Sequence, residues 1–146
     1  MYRELISKMI KGHRWAKIQP PCPEQDIIEA EQIVGFPFPE DLKNLLREAN
    51  GDRELLWSAG EIIKTVELNR TYFTECFDDI EEYQRRVDRH IFFAGNGCGD
   101  YYCYRVLENS IADTSGIYIW EHETFESHYV AQDIADLIVR YYNGEI

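Results

Sequence analysis

The sequence contains no apolar run that approaches the roughly 20 residues a membrane-spanning helix requires. Its N-terminal stretch, MYRELISKMIKGHRW, also lacks the uncharged apolar core of a secretory signal peptide, because Glu4, Lys8 and Lys11 interrupt it. These two absences predict a cytoplasmic protein that does not enter a membrane.

Cysteine is scarce, and motifs for catalysis are missing. Four cysteines in a chain of 146 residues do not demand disulfides, so free thiols in a reducing compartment are predicted. No serine or cysteine lies in a nucleophile motif. The glycine-rich segment 95–99 precedes a strand-like run, whereas a phosphate-binding loop precedes a helix. We therefore expect a protein that is not an enzyme and has no cofactor.

A zinc site is the alternative that the cysteines and histidines raise. Four residues separate Cys98 from Cys103, and five separate His122 from His128, which is near the outer limit of zinc-ligand spacing. Neighbouring residues of a strand point to opposite faces, so this spacing does not bring the four side chains together. The interpretation as thiols and surface histidines without a metal is favoured. Stoichiometric zinc in the purified protein would support a metal-binding domain or an enzyme instead.

Basic residues are rare in the second half of the chain. Residues 74–146 contain 15 acidic and 5 basic residues, whereas residues 1–73 contain 12 and 10, so most of the net charge of −12 lies in the second half. Such a surface repels nucleic-acid phosphates. Acidity commonly serves only solubility, but this asymmetry favours a basic protein partner that is steered towards the second half.

The stretch IFFAGNGCGDYYCYRV, from Ile91 to Val106, predicts the centre of the fold. Its Gly/Asn/Asp cluster lies between two strand-like runs, which is typical of a tight connection between antiparallel strands. Asp100 is expected to accept backbone hydrogen bonds within this turn. Ile117–His122 predicts a third strand, and Glu54–Ser58 a short one that carries Trp57.

Apolar periodicity and proline or glycine boundaries predict five helices. They cover roughly 2–11, 23–34, 39–49, 61–73 and 133–142. Gly35 and Gly51 are expected to end the second and third of these helices with positive φ, and Gly97 to provide the turn between the strands. The predicted class is α+β in one domain, 1–146: an antiparallel or mixed β-sheet of about four to six strands, with helices from both chain ends packed on it.

The segment Cys76–Val87 is rich in acids and poor in apolar residues, which predicts an exposed acidic loop or a frayed helical turn. Two more acids flank the strand that carries Trp120. We predict that these carboxylates and the tryptophan bind the partner; the residues are Asp78, Asp79, Glu81, Glu82, Trp120, Glu121 and Glu123.

The sequence leaves two environments open for Trp120. Strand alternation places it with Tyr118 and His122, opposite Ile117 and Ile119. If the isoleucines face the core and the other face is open, Trp120 is exposed among acids and suits a binding hot spot. If the sheet is covered on both faces, Trp120 belongs to the core.

Four motifs, in order, resemble the SUKH superfamily. Glu31 and the following GFPFPEDLKNLLREANG are similar to its helix ending in Glu-x-x-apolar-Gly, its Leu-Pro step, its next helix and its Asn-Gly stop. FFAGNGCGDYYCYRV resembles its Phe-Ala-x-x-Gly-x-Gly-Asp hairpin, and IYIWEHET and YVAQDIADLIVRYYNG resemble its last strand and C-terminal helix. Phe38 and Leu42 depart from a leucine and an aromatic residue but keep the apolar character. The resemblance covers roughly Pro23–Tyr142.

The resemblance implies a non-enzymatic binding module. Many bacterial members are immunity proteins encoded beside secreted polymorphic toxins, often nucleases, and eukaryotic relatives include a yeast regulator of cell-wall glucan synthesis. It therefore implies that this chain neutralises a cognate toxin by covering its active site or nucleic-acid groove. The acidic charge agrees with this implication, since nuclease domains are typically basic. The alternative in the same class is a regulatory interaction module without a toxin.

Overall fold

The computed structural model describes residues 1–146 and contains six α-helices and one four-stranded antiparallel sheet. The helices are α1 (Tyr2–Met9), α2 (Glu24–Val34), α3 (Glu40–Glu48), α4 (Ala59–Tyr72), α5 (Ile80–Tyr83) and α6 (Ile134–Tyr142). The strands are β1 (His90–Gly95), β2 (Tyr101–Arg105), β3 (Ile117–Glu121) and β4 (Glu126–Ala131), paired in that order. The predicted α+β class is confirmed. No helix combines the length and the apolar character needed to cross a membrane.

Prolines and glycines fix the helix boundaries where the sequence places them. Pro23 and Pro39 directly precede α2 and α3 and have extended backbone. Acids occupy the first turn of each helix, where their negative charge interacts favourably with the positive end of the helix dipole. Gly35 follows α2 in the left-handed conformation. Gly51 has the predicted positive φ but does not cap α3, which ends at Glu48 and is followed by Ala49 in extended conformation. The side chain of Ser58 caps α4 by accepting a hydrogen bond from the Glu61 amide at 3.1 Å.

One face of the sheet forms the main core with the helices of both chain ends. Successive strand residues alternate between the faces, so Ile91, Phe93, Tyr102, Tyr104 and Ile117 all point into this core. They pack against the buried residues of α1 to α4 and α6. The two terminal helices, α1 and α6, also contact each other.

The opposite face of the sheet is covered as well, by α5 and the π-helical turn Gln84–Asp88 that continues it. Tyr83 and Val87, four residues apart, are buried on Phe92 and Trp120 in a second, smaller core. Of the two structures predicted for Cys76–Val87, an exposed acidic loop or a frayed helical turn, the helical one is found from Ile80 onward, but its Tyr83 and Val87 are buried. Its apolar residues are few, but their spacing places both on one helix face.

The fourth strand is absent from the sequence-based prediction. The side chains of β4 are mostly exposed, so its sequence, ESHYVA, lacks the apolar alternation that marks a half-buried strand. It pairs only with β3, at one edge of the sheet. The predicted strand Glu54–Ser58 is reduced to a single bridge between Leu56 and Ala94.

Gly51 should tolerate alanine less well than Gly97 does. Both have positive φ, 90° and 77°, which costs about 1–2 kcal/mol for a residue with a Cβ. At Gly51 the added Cβ would also lie 2.9 Å from the Ser58 nitrogen, whereas nothing lies within 4 Å at Gly97. In urea melts, Gly51→Ala should lower the free energy of unfolding clearly more than Gly97→Ala; equal losses would contradict the close approach.

Candidate partner-binding face and the neighbouring groove

The structure places the two segments that carry the predicted acids next to each other. Phe77 precedes the first group, and its ring lies 5.4 Å from the ring of Phe125, which follows the second group. Phe73 contacts Phe125 at the same distance. We call the six carboxylates the acidic face; they are Asp78, Asp79, Glu81, Glu82, Glu121 and Glu123.

Half of the acidic face is free of internal partners. Asp78, Glu81 and Glu123 are exposed, and their carboxylates form no hydrogen bond or ion pair within the protein. The other three have partners in the protein. Asp79 caps α5 by accepting from the Glu81 amide at 2.9 Å, Glu82 lies 3.5 Å from the Arg86 guanidinium, and Glu121 lies 3.5 Å from the His128 ring.

An apolar side chain, Ile80, lies among these acids and is 67% exposed. It is the first residue of α5, between Asp79 and Glu81. Ile80 is not among the predicted contact residues, although an isoleucine inside an acidic run is a sequence signal that could have identified it. An exposed apolar residue bordered by charges has the composition of an interface centre with a polar rim.

Trp120 is in the core, so the prediction that it contacts the partner as an exposed residue is wrong. Its side chain is fully buried, stacked on Tyr101 with ring centroids 5.4 Å apart and interplanar angle 14°. Its indole nitrogen donates to the Arg86 carbonyl at 2.8 Å. Strand alternation is as predicted, but the helix that carries Tyr83 and Val87 covers this face too.

Asp100 joins two neighbouring turns at one end of the sheet. Its Oδ1 accepts a hydrogen bond from the His122 amide at 3.1 Å and lies 2.7 Å from the ring Nδ1 of the same residue. Within its own turn, Asp100 accepts a backbone bond through its carbonyl, from the Asn96 amide at 3.2 Å, but not through its carboxylate; the Asn96 side chain accepts from the Cys98 amide there. Burial raises the pKa of Asp100, but the hydrogen bonds from His122 and Asn96 outweigh it and lower the pKa overall.

The candidate zinc ligands have separate surroundings. Cys103 is fully buried beside the Tyr118 carbonyl, whereas Cys98 is exposed in the turn. His122 pairs with Asp100, and His128 with Glu121. No group of three or more His, Cys, Asp or Glu side chains is arranged to hold a metal ion.

A groove with a cavity volume of 1140 Å³ adjoins the acidic face. It runs between the helix from α5 to the π-helical turn and the start of β4, and Asp79, Glu81 and Glu82 lie on its rim. We call it the arginine groove, after four of its lining residues: Arg85, Arg86, Arg89 and Arg105. No local sequence pattern predicts this groove, because its residues come from segments that are distant in the sequence.

A chain of hydrogen bonds forms the floor of the arginine groove. The Arg105 Nε donates to the Ser127 hydroxyl at 2.9 Å, which lies 3.3 Å from the Nε2 of His90. Burial lowers the pKa of His90 to about 4, so its ring is neutral at neutral pH. The neutral ring can donate from Nδ1 to the Val87 carbonyl, 3.1 Å away, and accept from Ser127.

The comparison with known families covers most of the chain. The sequence model of the SMI1 / KNR4 family (SUKH-1) matches residues 21–140. This range contains α2 to α5, the whole sheet and nearly all of α6, and thus both the acidic face and the arginine groove. No curated protein matches the chain.

Proposed function

The chain belongs to the SMI1 / KNR4 family (SUKH-1), and from this premise we propose that it is an immunity protein. It would bind a cognate secreted toxin in the cytoplasm of the producing cell and neutralise it. The observation that carries the proposal is the acidic face, whose six carboxylates come from two distant segments that pack against each other through Phe77 and Phe125.

A basic nuclease is the toxin class that the charge of this face fits best. A nuclease binds the phosphate backbone of its nucleic-acid substrate through lysine and arginine side chains. A protein of net charge −12, with most of that charge in residues 74–146, attracts such a surface over long range and raises the association rate. The same charge disfavours direct binding of the chain to nucleic acid.

The proposed mechanism is occlusion of the toxin's active surface. The carboxylates of Asp78, Glu81 and Glu123 have no partner within the protein and can pair with cations of the toxin. Ile80 would add a desolvated apolar contact at the centre of these charges, in the place that the sequence assigned to Trp120. Apolar contacts of this kind mainly slow dissociation, while the surrounding charges mainly speed association.

The direct test of this function is co-expression with the product of the neighbouring gene. Expression of that product alone should stop growth, and co-expression of this chain should restore it. A non-toxic product that nevertheless binds the chain would support a regulatory interaction module instead. A toxic product that neither binds the chain nor is neutralised by it would contradict the proposal.

Reversing two free acids, in Asp78→Lys/Glu81→Lys, should lower the association rate with that toxin by about tenfold or more at low salt. The salt dependence of the rate should also flatten, because the steering charges are gone. Surface-capture kinetics at two ionic strengths measures both effects. Asp79 is left unchanged because it caps α5.

Glu29→Lys/Glu145→Lys is the matched control. It changes the net charge by the same amount, at exposed acids that form no ion pair and lie outside the acidic face. The control should lower the association rate far less than the Asp78/Glu81 pair. Equal losses would mean that only the net charge matters, and would assign no special role to the acidic face.

A further inference from the structure

The arginine groove collects nearly all the positive charge of the second half of the chain. Residues 74–146 contain five basic residues, and four of them line this one groove. All four are arginines, whose planar fork of N–H donors matches the oxygen atoms of a phosphate or a carboxylate. This clustering lies in the half of the protein that carries 15 acids.

Three of the four arginines have no carboxylate partner. Of the six arginines outside the groove, Arg47, Arg70 and Arg140 form ion pairs with acids at 2.8–3.1 Å. In the groove, only Arg86 has an acid nearby, Glu82 at 3.5 Å. Arg89 and Arg105 instead donate to the Leu107 carbonyl and to Ser127, and Arg85 forms no hydrogen bond. Each of the three retains free N–H donors.

The backbone holds these arginines around one opening. Arg105 pairs with His90 across β1 and β2, and the Val106 amide donates to the Arg89 carbonyl at 3.0 Å, so Arg89 and Arg105 lie at the same end of these strands, with the Arg89 guanidinium 6.0 Å from the Phe36 ring. Arg85 precedes Arg89 by four residues, one turn along the helix. The half-buried Arg105 guanidinium also lies 4.0 Å above the Tyr118 ring, which fixes its position.

The acids on the rim do not satisfy these donors. Asp79 is committed to the cap of α5 and Glu82 to Arg86. The remaining three acids, Glu81, Glu108 and Glu126, are exposed and form no ion pair with an arginine. A half-buried charge without a partner is unfavourable, so a ligand that supplies an anionic group would complete the site.

We propose that the arginine groove binds a phosphate group, either free or as the monoester of a small molecule. A phosphate offers three strong acceptor oxygens and close to two negative charges at neutral pH, enough for the Arg85, Arg89 and Arg105 forks together. The cavity of 1140 Å³ leaves room for the rest of an ester. The inference does not depend on the identity of the protein partner.

The test is calorimetric titration of the whole protein with inorganic phosphate and, separately, with glucose 6-phosphate, at constant ionic strength. Saturable binding is expected, and Arg85→Gln/Arg89→Gln should weaken it at least tenfold. Both side chains lie at the edge of the groove, so this variant should fold. Arg14→Gln/Lys64→Gln removes the same charge at exposed sites without ion pairs, and should leave the affinity unchanged.

Each outcome decides the proposal. Binding of either probe that only the groove variant weakens supports it, and the tighter probe tells whether the phosphate is free or esterified. Equal weakening by both variants would show diffuse charge attraction and overturn the proposal. Absence of binding by both probes would overturn it as well, and binding of a hexa-aspartate peptide alone would replace phosphate with carboxylate.

Discussion

Replacing Trp120 with alanine should lower the free energy of unfolding by about 4 kcal/mol, near the upper end for large-to-small changes in a core. The side chain has no exposed surface. It packs against Tyr101 and Phe92, each 5.4 Å away between ring centroids, and the alanine variant would leave a cavity between them. The Arg86 carbonyl would also lose the indole donor. Urea denaturation of parent and variant measures the loss.

Trp15→Ala is the matched control, because Trp15 is 70% exposed. Its effect should stay within about 0.5 kcal/mol, as for other surface positions. Trp120→Phe should fall between the two, since it keeps an aromatic ring but not the hydrogen bond to Arg86. Similar losses for the two alanine variants would show that Trp120 is not a core residue in solution.

The same substitution links the second core to the proposed function. Trp120 holds the helix from α5 to the π-helical turn through Arg86, and that helix carries Glu81 and Glu82 of the acidic face. It also carries two of the four groove arginines, Arg85 and Arg86, and Arg89 follows it directly. Trp120 therefore supports both proposed sites from beneath without contacting a partner itself.

Much of the fold follows from short-range patterns in the sequence. Prolines ahead of α2 and α3 and the positive-φ Gly35 after α2 fix these helix boundaries locally, so the sequence predicts them. Strand alternation also predicts correctly that Trp120 shares a face with Tyr118, opposite Ile117 and Ile119. Alternation alone cannot tell which faces are covered, because that depends on a segment about 35 residues earlier in the chain.

The parts that the sequence does not predict depend on distant contacts. β4 is an edge strand whose exposed side chains give no apolar pattern, and its pairing is set by β3. The arginine groove needs Arg105 from β2 and Ser127 from β4 to meet beside the helix that carries Arg85. The surface position of the predicted acidic contact residues follows from their charge, which the sequence shows directly. Whether Trp120 is exposed depends on which segments pack against it, which the sequence does not show.

Replacing Asp52 with alanine should also lower the free energy of unfolding by about 4 kcal/mol, because it leaves several buried donors without a partner. Asp52 is fully buried. Its Oδ1 accepts from the amides of Glu54, Leu55 and Leu56 at 3.1, 2.9 and 2.8 Å. Its Oδ2 accepts from the hydroxyl of Tyr142 in α6, so one carboxylate joins the loop after α3 to the C-terminal helix.

Two further variants separate the parts of this loss. Burial, and then the hydrogen bond to Asp52, raises the pKa of Tyr142, so its hydroxyl stays protonated and donates. Tyr142→Phe removes only that bond and should cost about 1–2 kcal/mol. Asp52→Asn can keep the three amide bonds through its carbonyl oxygen but presents N–H groups to the Tyr142 hydroxyl, and should cost less than Asp52→Ala.

The measurement combines urea denaturation with amide hydrogen exchange. In a double-mutant cycle, the Asp52→Ala and Tyr142→Phe losses should not add, because both remove the same hydrogen bond. Exchange at the Leu55 and Leu56 amides should speed up in Asp52→Ala and remain slow in Tyr142→Phe. Additive losses, or unchanged exchange at both amides, would show that the carboxylate does not hold this loop to α6.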